Sequence, residues 1–177
     1  VEVEESETRP YQATNTRTFD LIHTNLDVKF DWQKQQLIGK ASLVLRPYFY
    51  ATNKLVLDAK GFDLRSVNIK KNGQLQSLKY TYDSEKIFIE LDKEYNRNES
   101  LEIWVDYVAK PEELKAEGSA AITDAKGLYF INPAGEDKDK PKQIWTQGET
   151  ESSSCWFPTI DSPNENMTQE IKITVDS

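Results

Sequence analysis

One histidine, one cysteine and one methionine stand in a chain of 177 residues. With a single His, neither a zinc site of two or three histidines nor an H-E-x-x-H helix can be assembled from this chain. With a single Cys, Cys155, there is no internal disulfide framework, so packing must carry the stability. The 7 glycines are scattered and form no phosphate-cradling loop. No run of eighteen apolar residues exists, so no helix is expected to span a bilayer. Basic residues are the minority, 22 against 30 acidic, for a net charge of −8. That balance argues against nucleic acid or an anionic membrane as partner, since either needs a concentrated positive face. The chain starts at Val1 with no apolar signal core, as expected of a processed or excised polypeptide.

The content that is present is globular: 37% hydrophobic and 11% aromatic. A chain of this length buries roughly 70% of its unfolded surface. Residues 1–17 are acidic, then rich in Thr and Asn, and read as a flexible lead-in. From residue 18 to 177 the pattern is that of a single β domain. Ile22, Leu26, Val28 and Phe30 share one parity, with His23, Asn25, Asp27 and Lys29 on the other. Leu37, Gly39, Ala41, Leu43 and Leu45 make a second strand closed by Pro47, and the two form a hairpin. Leu55-Val56-Leu57 is a short strand, ended by Asp58-Ala59-Lys60-Gly61. Asn72-Gly73 is the strongest two-residue hairpin signal in the chain, with Leu75, Leu78, Tyr80 and Tyr82 on the return. Ile87, Ile89 and Leu91 are expected to pair with Leu101, Ile103, Val105 and Tyr107 across the turn at Asn96–Glu99. Short strands separated by turn chemistry predict an all-β fold, an antiparallel sandwich or saddle-shaped set of sheets with little helix. One or two helical turns are expected between Pro111 and Gly118. Leu128-Tyr129-Phe130-Ile131 reads as a buried strand before a charged loop. Ile171, Ile173 and Val175 alternate to the end, which suggests a segment of a longer protein.

Most reactive side chains have an inert reading. His23 lies on a polar parity. Cys155 has no second His to activate it and reads as a buried thiol. Ser152-Ser153-Ser154 lacks the G-x-S-x-G elbow and reads as a loop. Glu136-Asp137-Lys138-Asp139 lacks the spacing of a calcium loop. Of four tryptophans, Trp104 is expected in its strand core, and Trp32, Trp145 and Trp156 at hairpin or loop contacts. An exposed Trp platform for glycan is the competing possibility. The segment from Lys142 to Thr168 is different. Gln147-Gly148-Glu149 follows a strand end at Trp145-Thr146, and Trp156-Phe157-Pro158 is a rigid apolar anchor. A Glu beside a Gly at a strand end can present one carboxylate to a ligand amine, although an ordinary loop carboxylate has the same local sequence.

Thr146-Gln147-Gly148-Glu149, then Trp156-Phe157-Pro158, Asp161, Pro163-Asn164 and Thr168, resemble the T-Q-x-E…F-P-x-x-D-x-P…T signature of zinc aminopeptidases related to aminopeptidase N. Leu37-Ile38-Gly39-Lys40-Ala41, Leu55-Val56-Leu57-Asp58 and Gly127-Leu128-Tyr129 resemble earlier pieces of the same family in the same order. The resemblance implies an N-terminal β domain that caps the active site, with zinc and its H-E-x-x-H…E ligands in a separate C-terminal catalytic domain. No metal ligand and no catalytic residue would then lie in this chain. It further implies that Glu149 helps bind the free α-amine of a peptide N-terminus and that Gln147 lines the pocket for the first side chain. The chain departs from the family pattern at Glu151–Ser154, where a basic residue is common, and at Thr159 and Ser162, where Cys and Glu are common. A free-standing β-sandwich binding glycan or protein is the alternative, and a catalytically dead homologue a third. An exported or cell-surface bacterial location is the expectation from the non-Met start and acidic lead-in, with the cytoplasm as the alternative.

Overall fold

The computed structural model describes residues 16–114 and 125–175. Eleven strands are found among them, in three sheets. They are β1 (Phe19–Asp31), β2 (Gln36–Pro47), β3 (Thr52–Asp58), β4 (Phe62–Lys71), β5 (Gln74–Ser77), β6 (Lys79–Tyr82), β7 (Lys86–Tyr95), β8 (Leu101–Ala109), β9 (Leu128–Ile131), β10 (Gln143–Thr146) and β11 (Thr168–Thr174). A six-stranded sheet runs β11-β1-β2-β8-β4-β5, a three-stranded sheet β3-β7-β6 and a two-stranded sheet β10-β9. All pairings are antiparallel except β1 with β11. The all-β expectation holds. Of the helical turns expected from Pro111, a 3-10 turn is seen at Pro111–Glu113, and residues 115–118 lie outside the described residues. So does the lead-in up to residue 15, while Arg17 bridges Asp20 and Glu165 at 2.6 and 2.7 Å.

The β1–β2 hairpin forms with Leu26 opposite Ala41 and Val28 opposite Gly39. One residue departs from the alternation. A register shift between Leu21 and His23 turns Phe19 and Leu21 into the core, with Ile22 left half-buried. The bulge adds one residue to β1, so parity reverses there and Leu26 and Val28 remain inside. The hairpin at Asn72-Gly73 also forms, with φ of 50° and 78°.

Two pairings differ from the sequence expectation. Strands β7 and β8 are not partners: β7 lies between β3 and β6, and β8 between β2 and β4. The turn at Asn96–Glu99 therefore carries the chain from one sheet to another. It is held by Glu99, which accepts from the backbone N–H and side-chain amide of Asn96 at 3.0 and 2.6 Å. The return from Asn72-Gly73 is likewise split. Buried Leu78 separates β5, on the large sheet, from β6, on the small one. Alternation reports which face a strand buries but not which strand it bonds to, and both sheets face one core.

That core joins Leu37, Leu43, Leu45 and Ile103 of the large sheet to Leu55, Leu57 and Ile87 of the small one. Trp104 is not in it. On a strand whose Ile103 and Val105 point inward, Trp104 takes the outer face, bonded to Glu102 at 2.7 Å and covered by the Lys70 ammonium. At the centre, the Tyr107 ring fills the space a side chain would need at Gly39, where a Cβ would lie 2.5 Å from the ring. Tyr107 also stacks on Phe62, with ring centroids 4.7 Å apart. Its hydroxyl donates to the Trp156 carbonyl at 3.0 Å, the first tie between the core and the segment that carries the candidate site.

Candidate functional site

The site segment starts where β10 ends. β10 pairs with β9, placing Thr146 opposite Leu128, and the Gln147 N–H donates to the Gly127 carbonyl at 2.9 Å. Gly127 is required there by two constraints. Its φ is +71°, and a Cβ would lie 2.0 Å from the Ser152 carbonyl oxygen. The chain then turns through Gly148 and Glu149, across a cis Glu149–Thr150 peptide, into a 3-10 turn at Ser153–Cys155. The three serines read as a polar loop in the sequence are thus partly interior. Ser152 and Ser154 are buried, as are Cys155 and Phe157.

Gln147 and Glu149 are brought together. The Gln147 Oε1 accepts the Glu149 backbone N–H at 3.2 Å, and both residues are exposed. Among the described residues the Glu149 carboxylate has no ion-pair partner. It is an open anion on a loop whose base is fixed. Below it, the Ser152 N–H donates to the Gly148 carbonyl at 3.0 Å, and the Ser152 hydroxyl to the Glu149 carbonyl at 3.4 Å. Burial pushes the Cys155 thiol up to about 11, which keeps it protonated and inert, as the sequence suggests.

Asp161 and Asp58 organise the other end. The Asp161 Oδ2 accepts the Ser154 N–H at 2.8 Å, and the Asp161 N–H donates to the Asp58 Oδ2 at 2.9 Å. Asp58 and Thr159 exchange backbone bonds of 2.7 and 3.1 Å, a bridge that ties the segment to β3. Lys60 donates from its backbone to the Ser154 carbonyl at 2.8 Å and from Nζ to the Glu151 carbonyl at 2.7 Å. Sequence reading missed Lys60 and the structural part of Asp58, which appear there only as a break between strands. Their signal is tertiary: they contact residues about a hundred positions away.

Other candidates settle as follows. His23 is half-buried and its Nδ1 lies 2.8 Å from the Thr168 hydroxyl. Asp137 is an exposed turn residue, its N–H bonded to the Asn132 side chain. Among the described residues no group of three or more His, Cys, Asp or Glu could hold a metal ion. No helix among them is long and apolar enough to cross a membrane. Of the tryptophans, Trp32 packs edge-on to Phe130 and Trp156 against Phe157. Trp145 is 61% exposed.

The profile of the family described as "Peptidase M1 N-terminal domain" matches residues 20–177. The chain belongs to that family, the N-terminal, all-β domain of M1 zinc metallopeptidases. Solved structures agree on the fold. A two-domain M1 zinc metallopeptidase bound to L-arginine aligns at TM-score 0.71 and 18% identity, over 89% of this chain and 33% of its own. The M1 zinc metallopeptidase from Deinococcus radiodurans bound to a Tyr-Ser-Ala substrate aligns at 0.69 and 18%, over 89% and 32%. Leukotriene A4 hydrolase from Saccharomyces cerevisiae aligns at 0.62 and 15%, over 95% and 27%. The chain thus spans about a third or less of these proteins. No curated protein matches it.

Proposed function

We propose that this chain is the N-terminal domain of a zinc aminopeptidase that removes residues from the N-terminus of peptides. In that reading it caps the active site and supplies Glu149 to bind the substrate α-amine, with Gln147 lining the pocket for the first side chain. The observation that carries it is the exposed Glu149 carboxylate, without an ion-pair partner among the described residues, on a loop held to the core at both ends. A carboxylate and an ammonium that lose water together form a short, charge-assisted contact, and leaving one of them unpaired costs about 3–5 kcal/mol. Such a clamp selects a free N-terminus, because an internal peptide bond carries no charge to offer it.

The catalytic domain of the same parent is the partner. Zinc would reside there, activating water, on ligands that this chain does not supply. The chain by itself is expected to be catalytically silent.

The test is Glu149→Ala in the full-length parent, assayed with aminoacyl anilides. The expected loss in kcat/KM is about two to three and a half orders of magnitude. Near-normal turnover would remove the clamp assignment. Gln147→Ala should instead shift preference among first residues.

A further inference from the structure

The Gln147–Glu149 tip has few contacts of its own, yet the segment beneath it is hydrogen-bonded at several points to one place, Asp58–Lys60. Ser154 is the junction. It is fully buried, its N–H goes to Asp161 at 2.8 Å and its carbonyl receives the Lys60 N–H at 2.8 Å. Asp161 is in turn fixed by Asp58, whose other oxygen pairs with Lys86. From Ser154 the turn leads back through Ser152 to the carbonyls of Gly148 and Glu149. Lys60 adds a second hold at the Glu151 carbonyl. Asp161 is therefore connected to the residue that would meet substrate by hydrogen bonds at the two ends, Ser154 N–H to Asp161 and Ser152 to the Gly148 and Glu149 carbonyls, with the short covalent turn Ser152–Ser154 between them.

We propose that Asp161 is a positioning residue for substrate-amine recognition, with Lys60 as its second strut. Through the Ser154 N–H, Asp161 sets the height and angle at which Glu149 stands above the sandwich. This rests on the amine-clamp reading above. Asp161 touches no substrate; it acts through Ser154 and the turn. A carboxylate suits the task because its two oxygens are both available as acceptors, and a charged acceptor makes a stronger bond to a buried N–H than a neutral one. A small displacement of a recognition group is enough to weaken binding by an order of magnitude or more.

The experiment uses the full-length parent and two competitive inhibitors that differ only in the α-amine: phenylalanine hydroxamate and 3-phenylpropanehydroxamate. Both present the same metal-binding group, so the ratio of their inhibition constants reads amine recognition alone. Asp161→Ala should shrink that ratio by roughly tenfold, with the des-amino inhibitor changed by less than about twofold. Asp161→Asn keeps an acceptor for the Ser154 N–H and should restore most of the ratio. Lys60→Met removes the bond to Glu151 and should shrink it by about threefold. If Asp161→Ala does not fold, Lys60→Met and Asp161→Asn decide, and an unchanged ratio in Lys60→Met then overturns the proposal. Equal weakening of both inhibitors by Asp161→Ala would mark a merely structural residue and would also overturn it. Glu149→Ala, run in parallel, separates the two readings. If it leaves the ratio intact, the clamp itself fails. If it collapses the ratio and the Asp161 and Lys60 variants do not, only the positioning role fails.

Discussion

Strands β1, β2 and β8 bury a side chain at nearly every second position, whereas the stretch from Gln147 to Asp161 buries serines, a thiol and a phenylalanine in no regular period. The first region is held by area. Leu37, Leu43, Leu45 and Ile103 are fully buried, and each contributes in proportion to the surface it removes from water. The second is held by direction. Its bonds run from Gly127, Asp58, Lys60 and Asp161 to particular backbone groups, and moving any partner by an ångström loses the bond. A sheet core tolerates exchange among apolar residues of similar volume. A loop fixed by a few named bonds does not, and that is the kind of support a recognition residue needs.

The contrast can be broken at either end. Leu57→Ala, in the fully buried core between the sheets, should destabilise the chain by about 2–5 kcal/mol in urea unfolding. Gly127→Ala attacks the loop instead. It forces a side chain into a positive φ and against the Ser152 carbonyl, and about 1–3 kcal/mol of destabilisation is expected, with faster proteolytic cutting near Gly148. Leucine variants should leave that cutting pattern unchanged. If both kinds of variant open the whole chain together, the two regions are a single cooperative unit and the distinction drawn here fails.

Smaller effects sharpen it. Tyr107→Phe removes only the bond to the Trp156 carbonyl, and a loss of about 1 kcal/mol is expected, since the ring and its contacts remain. Cys155 offers a pH test. Its thiol is raised in the fold from 9.0 to about 11, so the folded chain keeps a proton that the unfolded chain gives up in that window. The stability from this group is complete below about pH 9 and lost as pH rises through 11. Cys155→Ala should flatten the fall in unfolding free energy between pH 9 and 11 by the share this thiol contributes. The smallest effect belongs to Glu149→Ala in the isolated chain, where less than about 0.5 kcal/mol is expected because the carboxylate is exposed and without an ion-pair partner among the described residues.

Much of the candidate site's segment was readable, and for an identifiable reason. Gln147, Glu149, Phe157 and Asp161 stand at fixed spacing in one short segment, so their resemblance to a known signature needs no folding to be seen. Lys60 was not readable, because a lysine between two strands looks like any solvated turn residue until Glu151 and Ser154 are folded against it. Trp104 was misplaced by hydrophobicity alone. Its indole N–H needs an acceptor, which Glu102 provides on the outer face.

Residue alternation by itself determined that the chain is all-β, where most strands begin and end, and which face of β2, β7 and β8 is buried. These are properties of single strands, set by a side-chain period of two. Which strands bond to which was decided only in three dimensions. β7 and β8 both present an apolar face and are separated by a turn that would close a hairpin, yet they lie in different sheets and bury those faces in the same core from opposite sides. The one-residue bulge in β1 was also decided there, where matching Leu21 and Leu26 to a single core outweighed the loss of one rung of pairing. So was the setting of Glu149. The sequence marks it as an acid beside a glycine, and the fold supplies the bonds that hold the backbone beneath it, from Ser152 to the Gly148 and Glu149 carbonyls and from the Ser154 N–H to Asp161.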